Sequence, residues 1–409
     1  MTKTRSDEIP LVVVGAGPVG LVAALAARHE GIPVLVLEKD AEDAPRAGSR
    51  ATFLFRESLD LLEQIAPSVT TELVALSGQW TALRTTYRGE TVFAKEFPKS
   101  APGAFGISVP QPRQEETYRQ RCRAEGVEFR WSTTVTDAAT DAAGVTLTLD
   151  SGEMIRARYV VAADGARSVV RSRIGGMDLE GERSNTAFII VDAEAPDENA
   201  PELRERAFHY NHPAVGGRNV LLVPFGGGLR IDLQCIPDDD VDEWQTPETL
   251  ASWVTDVAGA QYADNILWAS TYRFNRSVAR SYTDQHRRVL LVGEAAHLFP
   301  PFGGGRGLNS GIPDAVFAVE AIAKALKSGD EKKAWRIIDA VAAERRMAGL
   351  ANRDQASKAL VRMEARTLLR KLQRHLAARF ARWWTPLGVW LDRSPTGGST
   401  RPVTVRSRF

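Results

Sequence analysis

Cysteine is nearly missing from this 409-residue chain; Cys122 and Cys235 are the two present. They stand far apart and outside any metal-ligand spacing, so neither a disulfide framework nor a thiolate metal site is expected. No apolar run is long enough to cross a bilayer, which excludes a membrane-spanning helix. The opening Met-Thr-Lys-Thr-Arg-Ser-Asp-Glu leads straight into a strand pattern, without the apolar region of a secretion signal. Excess charge is missing too. With 52 basic and 51 acidic residues the formal net charge is +1, and nothing global selects nucleic acid or an acidic partner. Internal repeats and low-complexity tracts are also lacking. These absences predict a cytoplasmic protein with reduced thiols, no nucleic-acid partner and no transmembrane segment.

What remains is ordinary globular material, 44% hydrophobic and 25% charged. The length is large for one core, so two domains or one domain with a large insertion is expected. The organising stretch lies late in the chain, from Arg288 to Ala315. Val289–Val292 is a short apolar run suited to a buried strand, and Glu294 stands at its end. Pro300, Pro301 and glycines at 303, 304, 305 and 307 follow, giving a main chain that a flat or phosphorylated ligand can approach. The sequence turns helical from about Ser310, and a loop entering a helix N-terminus favours anionic groups.

A second motif opens the chain. Ile9–Val14 reads as a buried parallel strand, followed at once by Gly15-Ala16-Gly17-Pro18-Val19-Gly20. Leu21–Arg28 is helical, and Pro33–Leu37 is a second strand ending in Glu38. Strand, glycine turn, helix and a carboxylate after the second strand form a dinucleotide fingerprint. The acid suits ribose hydroxyls and argues against a 2′-phosphate, so the ligand is FAD or NAD. A third motif ends the strand Tyr159–Ala163, where Asp164-Gly165-Ala166-Arg167-Ser168 precedes Arg171. Taken alone, Asp164-Gly165 fits a simple turn, and Arg46 fits a solvated surface arginine.

Between these motifs the pattern changes. Residues 78–110 and 184–275 are strand-rich, with a helix at Pro247–Ala258. The predicted division is residues 1–77, 111–183 and 276–330 for a discontinuous nucleotide domain, 78–110 and 184–275 for an inserted antiparallel sheet, and 331–409 for a C-terminal helical region. Phe53–Ile65 and Gln111–Arg123 read as helices. Within Lys358–Trp384, apolar residues recur at 361, 365, 368, 372, 376, 380 and 383, and eight Lys and Arg face one acid, Glu364. One amphipathic helix packed on the body with a solvated basic face is expected. The alternative is a helix on a membrane surface, held weakly and screened by salt.

The three motifs, in this order, resemble the FAD-dependent aromatic hydroxylases typified by para-hydroxybenzoate hydroxylase, over roughly residues 10–325. The resemblance implies an α/β protein: a Rossmann-like FAD-binding domain with an inserted antiparallel substrate sheet and a C-terminal helical segment. It implies FAD as cofactor, with Glu38 and Arg46 at the adenosine end and Gln111 near the pyrophosphate and ribityl chain. Asp164 then closes over the diphosphate, and Glu294 binds ribityl hydroxyls where the family usually has Asp. Leu308 and Asn309 bring main chain to the isoalloxazine edge. The full cofactor set is Gly15, Gly17, Pro18, Val19, Gly20, Glu38, Lys39, Arg46, Gln111, Asp164, Gly165, Glu294, Pro301, Gly305, Gly307, Leu308 and Asn309. The glycine loop after Phe302 is one residue longer than the usual pattern. The implied reaction is hydroxylation of an electron-rich, phenol-like molecule with NADPH or NADH and O₂, through a C4a-hydroperoxyflavin. A flavin oxidoreductase without oxygen insertion and a non-catalytic FAD-binding protein are the alternatives. Tyr210, His212 and Arg230 are candidate polar groups of the pocket, each also suited to a strand or surface role, and no catalytic base is assigned. A monomer or a homodimer is expected.

Overall fold

The computed structural model describes residues 8–44, 52–78, 80–97, 106–197, 200–300 and 305–393. Its architecture is α/β, built on two large sheets. The first is seven-stranded. Val34–Leu37, Ile9–Val14, Met154–Ala162 and Val289–Leu291 run parallel in that order through its middle. Their near-continuous apolar runs are what a sheet covered on both faces requires. Val145–Leu149 and Val135–Thr140 extend this sheet as an antiparallel edge. The Ala-rich helix Pro18–His29 and the long helix Arg306–Lys327 join the same core, with residues 21–27 and most of 308–325 buried.

The second sheet has eight strands, from His297–Leu298 through Ile266–Ala279, Leu179–Glu194, Gly228–Gln234, Arg218–Phe225, Glu205–His212 and Ala82–Tyr87 to Glu90–Glu96. Neighbours are antiparallel, except that Glu205–His212 and Ala82–Tyr87 are parallel. Strand periodicity gives it two faces. Ile189, Val191, Leu222, Ile231 and Leu233 pack with Trp253 and Val254 of the helix Pro247–Ala258. Phe188, Phe208 and Tyr210 lie on the other face, under Leu360, Met363 and Ala377 of the C-terminal helices. The sheets meet where His297–Leu298 pairs with Ser277 and Val278.

Three local expectations are corrected. Phe53–Phe55 is a strand paired with Gly106–Ser108, and the helix begins only at Arg56. The glycine-loop helix starts at Arg306, four residues earlier than its sequence pattern suggests. The amphipathic stretch 358–384 is not one helix. It breaks after Glu331–Glu364 at Ala365, whose φ is 42°, and resumes as Leu368–Phe380. The apolar stripe then faces outward: Leu368, Leu372, Leu376 and Phe380 are exposed. Among the described residues no helix is long and apolar enough to cross a membrane.

Candidate active site

Parallel strands deliver their ligand groups at one edge, because all their carboxyl ends point the same way. Here Glu38, Gly15, Asp164 and Gly293-Glu294 follow four adjacent strands, so motifs more than 250 residues apart in sequence converge. Gly15 has φ 103°, and a Cβ there would lie 2.5 Å from the Ala163 carbonyl. A Cβ on Gly20 would lie 1.9 Å from the Gly15 carbonyl. Those two glycines are demanded by packing of the turn itself. A Cβ on Gly17 or Gly307 would meet nothing within 4 Å. There the main chain borders open space that a ligand can fill.

Both helices that open on this space lack a side-chain cap. In Pro18–His29, Leu21 N–H already donates to the Gly17 carbonyl, while Val19 and Gly20 N–H have no intrahelical partner. Val19 itself is a spacer: its methyls lie against Gly293 and Gly311, holding the two helix starts together. In Arg306–Lys327 the capping residue is Gly305, φ 64°, and Gly307 and Leu308 occupy the first turn. Asn309 ties the helix start to the Phe53–Phe55 strand through its side chain. Its N–H donates to the Gly305 carbonyl, its Oδ1 accepts from Phe55 N–H at 2.9 Å and Ser58 Oγ at 2.7 Å, and its Nδ2 donates to the Phe53 carbonyl.

Glu38 is buried, and its carboxylate accepts from Ala16 N–H at 2.6 Å and Asp40 N–H at 3.1 Å. A carboxylate offers about four acceptor positions, and such a group suits ribose hydroxyls. Lys39 is exposed and pairs with Asp40 at 3.7 Å. Gln111 opens the helix Gln111–Ala124, half-buried, and donates to Glu115 at 2.8 Å. Asp164 Oδ2 accepts from Val170 N–H at 3.1 Å, whereas its Oδ1 is buried without a partner among the described residues. Burial raises the pKa of this carboxyl above the usual value. Gly165, φ 77°, turns the chain. Buried Arg171 then ties the turn to the Glu294 segment by donating to the carbonyls of Ala166 and Ala295. Glu294 is half-buried in the turn Gly293–Ala295. Arg46 and Pro301 lie outside the described residues.

Two ionic clusters escaped the sequence reading. In the first, Asp314 accepts from Gly293 N–H, from His297 Nε2 at 2.8 Å and from Arg345 Nε at 2.8 Å. Burial by itself would raise its pKa, but the Arg345 charge and the His297 bond outweigh it and hold the carboxyl below the usual range. The second cluster lies on the large sheet, on the face opposite the helix Pro247–Ala258. Cross-strand pairing sets Asp192 beside Arg230, and the guanidinium bonds both carboxylate oxygens at 2.7 and 2.8 Å. Two residues along is Asp232, 8% exposed, whose Oδ1 has no hydrogen-bond partner among the described residues. Burial pushes its carboxyl up, Arg230 pulls it back in part and Asp192 raises it again, to about 7. Around it Leu221, Val223, Trp268 and Ser270 are only half-buried. Apolar side chains left open on an interior face mark room for an apolar ligand.

One end of this sheet is linked to the cofactor edge. Gly78 packs on Phe225 at the end of the Val223 strand, and its N–H donates to the Ser108 carbonyl. Ser108 pairs with Phe53, which Asn309 holds. Of the three pocket candidates only Arg230 lies here. Tyr210 is buried under the C-terminal helices, its hydroxyl donating to the Leu391 carbonyl, and His212 precedes a turn beside His209.

The family model described as an FAD binding domain matches residues 8–356. The chain therefore belongs to the FAD-binding-domain family, and FAD is the cofactor for which this edge is shaped. A rifampicin monooxygenase of Streptomyces venezuelae is 32% identical over 313 residues, covering 75% of this chain and 62% of that protein. A 3-(3-hydroxy-phenyl)propionate/3-hydroxycinnamic acid hydroxylase of Paraburkholderia xenovorans is 29% identical over 352 residues, covering 82% and 52%. The chain thus spans between half and two thirds of the length of these relatives. In fold it is similar to a p-nitrophenol 4-monooxygenase from Pseudomonas putida DLL-E4, with TM-score 0.77 and 22% identity over 96% of this chain and 99% of that one.

Proposed function

We propose that the protein is an NAD(P)H- and O₂-dependent flavin monooxygenase that hydroxylates an electron-rich, phenol-like aromatic compound. The observation that carries this reading is an FAD-shaped edge linked to a half-open apolar sheet face that holds a buried carboxyl, Asp232, whose Oδ1 has no partner among the described residues. Bound FAD supplies electron transfer from NAD(P)H and the activation of O₂. The chain's residues do the rest. Val19 and Gly20 N–H would hold the pyrophosphate, Glu38 would accept from ribose hydroxyls and Glu294 from ribityl hydroxyls, Asp164 would lie over the diphosphate region, and Gly307 and Leu308 N–H would meet the ring edge. Gln111 is placed near the ribityl chain, with Arg46 and Pro301 assigned on the family pattern alone.

Asp232 is assigned as the proton acceptor for the substrate hydroxyl. The substrate O–H bond breaks, the proton passes to the Asp232 carboxylate, and the electron pair stays on the phenolate oxygen. Arg230, held in place by Asp192, favours the negative charge that results. A ring bearing phenolate is a stronger nucleophile toward electrophilic oxygen than the neutral phenol. A dry, apolar surround keeps the acceptor's pKa near neutrality, where general-base transfer works best.

The test is oxygen transfer. Purified holoprotein, NADPH and a panel of phenols under ¹⁸O₂ should give substrate-dependent NADPH loss and one labelled oxygen in the product. NADPH loss without labelled product in every case would reject hydroxylation. In Asp232→Asn, kcat/KM should fall about 10²–10⁴-fold with FAD retained, and the acid limb of the pH profile should vanish. A variant with the wild-type profile would remove Asp232 from the chemistry and leave the reaction class standing.

A further inference from the structure

We propose that the helix Leu368–Phe380, with Trp383 and Trp384 after it, is a docking face for an anionic membrane surface. Its amphipathicity is inverted. The side toward the body is made of Ala377, Ala378 and Ala381, together with Arg374, which lies over the Tyr210 ring and donates to the Met363 carbonyl. The side toward solvent carries the large apolar groups. Leu368 and Leu369 are 85% and 65% exposed, and Trp383 and Trp384 are 64% and 60% exposed. At roughly 100° per residue, Leu368, Leu369, Leu372, Leu376 and Phe380 fall within an arc of about 120°, opposite the alanines. A protein that hides Ala and presents Leu and Trp gains nothing from that arrangement in water alone.

Charge selects the occupant. Residues 365–391 contain six Lys and Arg and neither Asp nor Glu. By the same rotation exposed Arg379 falls inside this arc and Lys371 lies to one side of it, and Arg382 lies 3.7 Å over the Trp383 ring. Apolar side chains interspersed with cations, with tryptophans at the margin, match the acyl–headgroup boundary of an anionic bilayer. A second copy of this chain fits less well. A twofold contact through this face would set like charges against each other. The face is helical, short and interrupted, so it lies in the interface and does not span it.

The test uses the full-length, FAD-loaded protein and two vesicle preparations, phosphatidylcholine alone and equal parts phosphatidylcholine and phosphatidylglycerol. Co-sedimentation is expected with the anionic vesicles, weakening about tenfold from low to high salt, with a blue shift of tryptophan emission. The Leu372→Glu/Leu376→Glu variant should keep its FAD and lose the vesicles by at least about tenfold. Equal binding to both preparations, or binding that this variant retains, would overturn the proposal. So would a protein that ignores vesicles, whether monomeric or a dimer that the variant dissociates, and the latter would assign the face to a second copy.

Discussion

Asp314 and Asp232 are both buried carboxylates on regular elements, and they are opposites in everything else. Asp314 accepts three hydrogen bonds and faces Arg345, and its pKa is held down. Asp232 has an oxygen with no partner, and its pKa is raised to about 7. A fully satisfied buried charge fixes the geometry of the elements it joins. An unsatisfied one costs free energy that folding alone does not return. Asp314 joins the Glu294 turn to two long helices and belongs to the architecture. Asp232 keeps one oxygen without a partner among the described residues, as the proposed proton acceptor requires. The same contrast separates Gly20, whose hydrogen is pressed on backbone, from Gly17, which looks into open space.

The largest effect should come from breaking the satisfied member. Asp314→Ala leaves Arg345 buried beside an apolar group and should cost about 3–5 kcal/mol in denaturant unfolding. The sign of its pH dependence follows from a folded pKa below the unfolded value of about 3.9. The stabilisation is present above that value and is lost as pH falls through the folded pKa. Wild-type and variant stabilities should therefore converge in strong acid. A constant gap down to the lowest pH that keeps the protein folded would show that Asp314 acts through packing alone.

The glycines give the next contrast. Gly20→Ala forces a methyl onto the Gly15 carbonyl and should destabilise the apoprotein by about 1–3 kcal/mol. Gly17→Ala should melt like wild type yet bind FAD more weakly, because its methyl occupies the cofactor's space. Melting of both apoproteins, with fluorescence titration of FAD, reads the two effects separately. Equal FAD affinity in Gly17→Ala and wild type would move the pyrophosphate elsewhere.

The legibility of this molecule follows the same division. The nucleotide edge was readable because each motif carries its own local chemistry: a strand, a turn that only glycine can make, and an acid at a fixed distance. The helix Pro247–Ala258 was readable from one continuous apolar pattern. The Asp192–Arg230–Asp232 cluster was not, since its members are brought together by strand register across 38 residues of sequence. Arg230 drew notice as a charge in a strand, but its partner could not be named. The Asp314 network has the same cause, joining residues 293, 297 and 345 through tertiary packing. The outward stripe at 368–384 misled for another reason. Periodicity gives the width of an apolar face and is silent about its direction, which the small residues Ala377 and Ala378 decided.

Glu294 tests how far the family pattern transfers to this chain. Glu294→Ala should weaken FAD binding by about 1–3 kcal/mol, the cost of leaving a buried hydroxyl without an acceptor. Glu294→Asp restores the residue usual in the family and should bind FAD nearly as well as wild type. Titration of apoprotein with FAD distinguishes the two. Unchanged affinity in Glu294→Ala would mean that the side chain turns away from the cofactor.

The smallest expected effect is the most diagnostic, and it concerns the stability of Asp232→Asn. In the folded protein this carboxyl titrates near 7, and in the unfolded chain near 3.9. Between those values the folded state binds a proton that the unfolded state has released, so stability falls as pH rises through this window. Above pH 7 wild type carries the full penalty of a buried, incompletely bonded charge beside Asp192. Asparagine carries no charge, though its buried amide is also short of partners, which offsets part of the gain. The net expectation is a variant equal to or less stable than wild type at pH 4–5, and more stable by on the order of 1 kcal/mol at pH 8. Unfolding curves at both pH values, taken on the holoprotein without substrate, measure the crossover. A saturating phenol should then stabilise wild type more than the variant at pH 8, because only the carboxylate accepts its proton. Parallel curves at all pH values would mean that Asp232 is already paired in solution, and the contrast with Asp314 would fail.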